Sequence, residues 1–260
     1  MIRLIRRTAR LLLPVDCSMC GSPLADDAVP HFCDPCWSAI SLMPSSRCSR
    51  CDRPFASPIA TTYSPHHTCQ PCAEHPPAYT KAWTLYPYVP PIQDALCLFK
   101  YRGKVSLASV LARLMIDRCP SLDHIDLIMP VPLHSRRLRE REFNQSLLLA
   151  DRIGRHFHRP VSFANLIRTR PSPAQTTLSR KKRLKNLRSA FSLHHPDAVT
   201  RKTILLIDDV YTTGATVNEC AKTLRKAGSA DVYVLTLART VDTHLVPDRI
   251  VAQRSNNVGL

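Results

Sequence analysis

Apolar positions in this chain fall into blocks with two different periods. Short continuous runs, from Asp126 to Val131, Ile204 to Ile207 and Val232 to Leu237, read as strands buried on both faces, the mark of a parallel sheet. Between them, apolar residues recur at helical spacing. Ile92, Ala95, Leu96 and Phe99 share one face of a helix that ends near Tyr101. A second helix runs from about Ser106 to Arg118, and a third from Asn144 to about His156 carries Leu147, Leu148 and Ile153. Val217, Cys220, Ala221, Leu224 and Ala227 form a further stripe, which Gly228 stops in C-cap position. Trp83 to Tyr88 reads as an edge strand, because Pro87 removes a ladder donor. Strands alternating with helices over residues 83–241 predict an α/β domain with a parallel sheet.

The front of the chain has no such pattern. Many of the 22 prolines fall before residue 92, and only 6 glycines occur in the whole chain. Eight of the 11 cysteines form four C-x2-C pairs: Cys17/Cys20, Cys33/Cys36, Cys48/Cys51 and Cys69/Cys72. Each pair aims two thiolates at one tetrahedral ion, so two pairs complete a four-cysteine zinc site. Bridging within each pair would strain a disulfide, and no secretion signal supports an oxidising compartment. Sequential pairing gives Cys17, Cys20, Cys33 and Cys36 one ion, and Cys48, Cys51, Cys69 and Cys72 the other; interleaved pairing is the alternative. Such closed sites are structural, and supply folding energy that a proline-rich segment lacks. His31, His66, His67 and His75 are bystanders, and Cys97, Cys119 and Cys220 are expected to be small buried apolar residues.

These patterns divide the chain into a basic segment (1–16), a double zinc ribbon (17–72), a linker (73–82), the α/β domain (83–241) and a tail (242–260). The first segment is basic and amphipathic, but its apolar run, Leu11 to Leu13, is too short to span a membrane and ends at Pro14. No other segment approaches a span, which predicts a cytoplasmic protein. The net charge of +16 points to polyanionic partners such as nucleic acid or phosphorylated small molecules.

The stretch Thr203 to Thr216 carries the most chemistry. Its apolar run ends in Asp208 and Asp209, then Val210 and Tyr211, then the small-residue turn Thr212, Thr213, Gly214, Ala215 and Thr216, before a helix begins. A strand running into such a turn exposes unpaired backbone N–H groups at a helix N-terminus, which is an anion site. Two carboxylates beside a phosphate repel it, unless they bind sugar hydroxyls of the same ligand, directly or through hydrated Mg²⁺. A second place for an anion follows the Asp126–Val131 strand, at Pro132, Leu133 and His134 and the basic run Arg136, Arg137, Arg139 and Arg141. A third basic segment, Arg168 to Phe191, reads as a mobile flap over a phosphorylated substrate.

LLIDDVYTTGAT resembles the phosphoribosyl-pyrophosphate (PRPP) motif of type I phosphoribosyltransferases. The resemblance implies that fold, with Asp208 and Asp209 on the ribose hydroxyls, Thr212 to Thr216 on the 5′-phosphate, and Val131 to Ser135 on pyrophosphate. More of the chain, from Cys17 to about Arg239, resembles the ComF (competence protein F) family of phosphoribosyltransferase-like proteins. The matching pieces are the zinc ribbons, Phe99-Lys100-Tyr101-Arg102-Gly103, Pro130-Val131-Pro132-Leu133, Arg141-Glu142-Phe143-Asn144-Gln145, the Arg170, Gln175, Arg183, Asn186 and Phe191 series, and the PRPP motif. Glu142 stands where the family usually has Gly. The resemblance implies two structural zinc ions and Mg²⁺ with PRPP or a nucleotide-like phosphorylated ligand. It makes Lys100, Leu133, His134, Arg141, Asn144, Gln145, Gln175, Arg183 and Asn186 candidates for the pyrophosphate site and flexible loop. It also implies a role in DNA uptake or utilisation, with single-stranded DNA and competence proteins as partners. No residue stands out as catalytic. Phosphoribosyl transfer competes with two other readings, a non-catalytic single-stranded-DNA-binding accessory protein and a PRPP sensor. The absence of a glutamine-hydrolysing domain disfavours an amidotransferase.

Overall fold

A computed structural model describes residues 15–24, 27–170, 190–242 and 245. The basic N-terminal segment, the centre of the basic flap with Gln175, Arg183 and Asn186, and most of the tail lie outside the described residues. The strands are β1 (Lys81–Pro87), β2 (Leu127–Pro130), β3 (Leu166–Arg168), β4 (Phe191–Leu193), β5 (Thr203–Tyr211) and β6 (Asp231–Arg239). Four of them form one sheet in the order β1–β6–β5–β2, with every neighbouring pair parallel. The expected edge strand is at the edge, and Pro87 closes it. β3 and β4 pair antiparallel in a separate two-stranded ribbon that the sequence pattern did not indicate. Their pairing brings Arg168 opposite Phe191, so the two ends of the basic flap meet.

The continuous apolar runs are explained by cover on both faces. Along β5, Ile204 and Leu206 join one core with Met129, Val232 and Val234, while Leu205 and Ile207 join the other with Ile128, Leu235 and Leu237. The helices are α1 (Ile92–Tyr101), α2 (Leu107–Ile116), α3 (Ser135–Arg141), α4 (Gln145–His156) and α5 (Ala215–Lys226). α1, α2 and α4 cover the Leu205 face, and α5 covers the Ile204 face. The predicted stripe of α1 is fully buried, and full burial of each such apolar side chain stabilises by about 1.5–3 kcal/mol.

Of the three apolar residues expected on α4, Ile153 is buried while Leu147 and Leu148 are half-buried, and Leu149, Ala150, Gln145 and Ser146 complete its buried face. Cys220 is buried as expected, but Cys97 and Cys119 are only half-buried. Cys119 still packs against the core of α1 and α2, and Cys97 lies 3.7 Å from the Tyr88 hydroxyl.

Each half of the ribbon region joins a different core. Val29 and Phe32 enter the core of α1 and α2, while Cys48, Cys51, Cys69 and Tyr79 enter the core of α5. Residues 78–80 connect closely to the α/β domain: Thr80 N donates to Val232 O at 2.7 Å, and Ala78 N to Asn218 Oδ1 at 2.7 Å.

Candidate ligand site and metal centres

The cysteines gather into two tetrads, Cys17/Cys20/Cys33/Cys36 and Cys48/Cys51/Cys69/Cys72, with the sulfurs of each within 4.8 Å of one another. This is the sequential pairing. Cys20 and Cys33 sulfurs are 3.6 Å apart, and those of Cys51 and Cys69 are 3.7 Å apart. The edge of a ZnS₄ tetrahedron with 2.3 Å bonds is about 3.8 Å, so both tetrads fit Zn²⁺. Backbone amides point at the sulfurs, Cys33 N to Cys17 Sγ at 3.4 Å and Cys69 N to Cys48 Sγ at 3.3 Å, which favours the thiolate form that a metal needs. With four sulfurs each, both sites are closed and structural in character.

The acid pair sits at the carboxyl end of β5, between β2 and β6. Ser146 Oγ donates to Asp208 Oδ1 at 3.0 Å, and the Asp209 amide donates to the same oxygen at 2.9 Å. Lys100 Nζ reaches Asp209 Oδ1 at 2.9 Å from the last turn of α1. Burial, reinforced by the neighbouring Asp209 charge, pushes the Asp208 carboxyl up to about 7, against the opposing pull of Lys100. Two carboxylates so close, only one of them held by a cation, form a local excess of negative charge that a metal ion or hydroxyl donors would relieve.

Next to the pair, β5 turns through Thr212 and Thr213 to Gly214, which caps α5 at φ +75°. A Cβ at Gly214 would overlap the Tyr211 hydroxyl, so only glycine fits this turn. Among the described residues, the Thr213 and Gly214 amides donate to no protein acceptor. They lie at the N-terminus of a 12-residue helix, where unpaired donors and the helix dipole both favour an anion.

The third component comes from the loop after β2. Val131 N donates to Ile207 O at 2.9 Å, which sets the start of this loop beside the acids. Asn144 ties it to α4: its Nδ2 donates to Val131 O at 3.1 Å while its Oδ1 caps the helix at Ser146 N. His134 Nδ1 accepts from Arg136 N and caps the short helix α3. Arg141 donates to Gln145 Oε1 at 3.1 Å and lies over the Tyr101 ring at 5.1 Å. Arg136 instead turns outward to Glu140 at 3.0 Å and is exposed. Glu142 ends α3 in the left-handed region at φ +64°, so the tight turn forms even with Glu in place of Gly.

Of the residues singled out from sequence, Asp208, Asp209, Lys100, Asn144 and the turn converge on one sheet edge, and Leu133 and His134 sit in the adjoining loop. Val210 and Tyr211 are the exceptions within the motif, since Val210 packs against the α1–α2 core and Tyr211 is buried in the α5 core beneath the turn. Sequence reasoning did not single out Ser146, Tyr79 or Arg239. Arg239 had a usable signal, because β6 ends level with β5 and pairs Arg239 with Tyr211. An open cleft of about 450 Å³ borders the turn on that side, between Thr212–Ala215, Arg239 and the second cysteine tetrad. Asp208 and Asp209 are not part of its lining, so the acid pair and this cleft flank the turn from different sides.

Fold and site together define an α/β protein with an acid pair and a glycine turn at a helix N-terminus on a parallel sheet, preceded by two cysteine-tetrad ribbons. A family model described as the double zinc ribbon domain matches residues 8–73. The chain is 34% identical over 239 residues to the DNA utilization protein YhgH of Escherichia coli, covering 89% of this chain and 100% of that one. It is 30% identical to competence protein F of Haemophilus influenzae over 227 residues, 80% of this chain and 96% of the relative. Among solved structures it is similar to an adenine phosphoribosyltransferase from Leishmania tarentolae, at 12% identity, with a TM-score of 0.36, over 58% of this chain and 77% of that one. The chain belongs to the family of the YhgH and competence F proteins. Among the described residues no helix is long and apolar enough to cross a membrane.

Proposed function

We propose that this protein binds PRPP, or another ligand bearing a ribose 5-phosphate group, together with Mg²⁺, and acts in DNA uptake or utilisation. The observation that carries the reading is one strand–turn–helix unit. It holds Asp208 and Asp209 at the strand end and the free Thr213 and Gly214 amides at the helix start. The turn takes the 5′-phosphate, and the acids take the ribose hydroxyls or hydrated Mg²⁺, for which carboxylate oxygens are suitable hard donors. Leu133, His134, Arg141 and Asn144 border the pyrophosphate side, and Lys100 is displaced from Asp209 or shares it with the ligand. The names of the relatives and the +16 charge support the DNA context.

Isothermal titration with Mg²⁺–PRPP tests the reading. Binding is expected in the wild type and is abolished in the Asp208→Asn, Asp209→Asn double variant. If the wild type does not bind, the proposal fails. Pyrophosphate release on adding an acceptor identifies a phosphoribosyltransferase; binding with no release identifies a sensor. Single-stranded DNA should compete with PRPP and bind with a steep salt dependence, roughly 0.7 of a decade of affinity per decade of salt for each phosphate neutralised.

A further inference from the structure

The turn proposed to bind phosphate is held from beneath by three large side chains. Tyr211, the last residue of β5, folds back under the turn and fills the space that reserves Gly214 for glycine. Its hydroxyl is 2.7 Å from the hydroxyl of Tyr79, which arrives from the segment after the second tetrad. The Arg239 guanidinium lies 4.3 Å from the centre of the Tyr211 ring. Arg239 Nη1 donates to Cys51 O at 2.7 Å, and Cys51 is a member of the second cysteine tetrad. Tyr79, Tyr211 and Arg239 are 2%, 5% and 7% exposed, and together with Cys51 they form a wall of the open cleft beside the turn. The end of β6 adds a backbone tie, Thr240 N to Tyr211 O at 3.1 Å.

Among the described residues the first tetrad shows no such contact chain to the turn, and its ribbon joins the core on the other face of the sheet. The shape of the Cys48–Cys51 knuckle is set by the ion its four thiolates hold, because a tetrahedral ion fixes the sulfur positions and thereby the carbonyl of Cys51. Moving that carbonyl moves Arg239, and Arg239 cannot move without releasing the Tyr211 ring under the turn.

We infer that Arg239, Tyr211 and Tyr79 are positioning residues that couple the second zinc ribbon to the phosphate turn. The affinity of the turn for a phosphate ligand then depends on the metal state of the Cys48/Cys51/Cys69/Cys72 site and not on that of the first site. The inference rests on the phosphate reading of Thr212–Thr216. Coupling between two binding sites is reciprocal, so a ligand on the turn must also tighten the second ion.

The experiment uses the full chain with both ions bound and ribose 5-phosphate as probe. Zinc release to a chromogenic chelator is followed with and without the probe. The expected result is that the probe slows release of one ion by roughly ten-fold and leaves the other unaffected, a factor equivalent to about 1.4 kcal/mol of coupling. Cys33→Ser protein, which holds only the second ion, keeps this protection. Arg239→Lys keeps both ions and loses the protection, and its affinity for ribose 5-phosphate falls by roughly ten-fold; Tyr79→Phe loses roughly three-fold. A residue important only for stability would lower the melting temperature without uncoupling ion release from the probe.

If ribose 5-phosphate binds and neither ion is protected, or Arg239→Lys retains the protection, the inference is overturned while the phosphate reading stands. If the wild type does not bind ribose 5-phosphate, both fall.

Discussion

The two ribbons start from the same backbone knuckle and diverge in what they do with it. In the first, Gly21 N donates to Cys17 O at 2.9 Å and Cys17 N to Ser22 O at 2.8 Å; in the second, Asp52 N donates to Cys48 O at 2.9 Å and Cys48 N to Arg53 O at 2.8 Å. Both knuckles need a left-handed residue after the second cysteine. Gly21 supplies it at φ +74° without steric cost, whereas Asp52 supplies it at φ +65° against strain. The strained choice gives the second ribbon a carboxylate, and that carboxylate docks it. Asp52 is 5% exposed and accepts from Thr84 N at 2.7 Å, Thr84 Oγ1 at 2.9 Å and Arg47 Nη1 at 3.0 Å. The first ribbon docks instead by apolar contact, with the Phe32 ring tilted against Trp37 at 5.2 Å and buried against α1 and α2. Equal metal chemistry can therefore serve two purposes. One ribbon extends a hydrophobic core, and the other is fastened by directional bonds to β1 and to the end of β6.

The largest expected effect comes from removing the ions separately. Cys69→Ser should lose one zinc of two and most PRPP binding, since a structural site carries on the order of 10–16 kcal/mol of apparent binding energy. Cys33→Ser should also lose one zinc, with a much smaller drop in PRPP affinity. Zinc analysis alongside titration checks this, and equal losses in the two variants would erase the distinction between the ribbons.

Next in size is the docking carboxylate. Asp52→Ala leaves the buried Thr84 amide without its acceptor while the partly exposed Arg47 turns to water, at a cost of about 1–3 kcal/mol. Gly21→Ala should cost only about 1 kcal/mol, the price of a left-handed alanine. Denaturant melts that rank the two equally would show that Asp52 is a turn residue and nothing more. Gly214→Ala should destabilise by about 1–3 kcal/mol through its φ and its overlap with the Tyr211 hydroxyl. A Tyr211→Phe background should return part of that cost, which a double-mutant cycle measures.

The smallest effect is a pH dependence confined to the acid pair. Asp208 has a native value of about 7 against an ordinary 3.8, so the folded protein holds the extra proton between these values. The unfolded chain binds fewer protons there, and the contribution of this group to stability falls as pH rises from about 4 to about 7. Ligand binding through Mg²⁺ needs the ionised carboxyl, so its affinity should rise with pH through about 7 and then level off. Titrations across this range check the sign. A profile that is unchanged in Asp208→Asn would assign the dependence to another group.

How much of this was readable in the chain follows from how local each feature is. The zinc ligands repeat at fixed short spacings, and one knuckle brings two sulfurs together whatever the rest of the chain does. β5, its acid pair, the turn and α5 are contiguous, so pattern and chemistry were visible in one stretch. The burial of Ser146 on α4 was not readable because its hydrogen-bond partner, Asp208, lies 62 residues away. β3 and β4 escaped because each has three residues, too few to show a period.

The sequence by itself therefore determined the four C-x2-C knuckles, the parallel-strand core and the strand–turn–helix that carries the acid pair, since these depend on neighbours along the chain. Only the tertiary structure decided that Lys100 lies on Asp209, that pairing is sequential, and that the second ribbon sits beneath the turn. Tyr79 meets Tyr211 across 132 residues and Arg239 meets Cys51 across 188. Contacts at such separations carry no local propensity or spacing; they form where the packing of the sheet and its two faces brings the groups together.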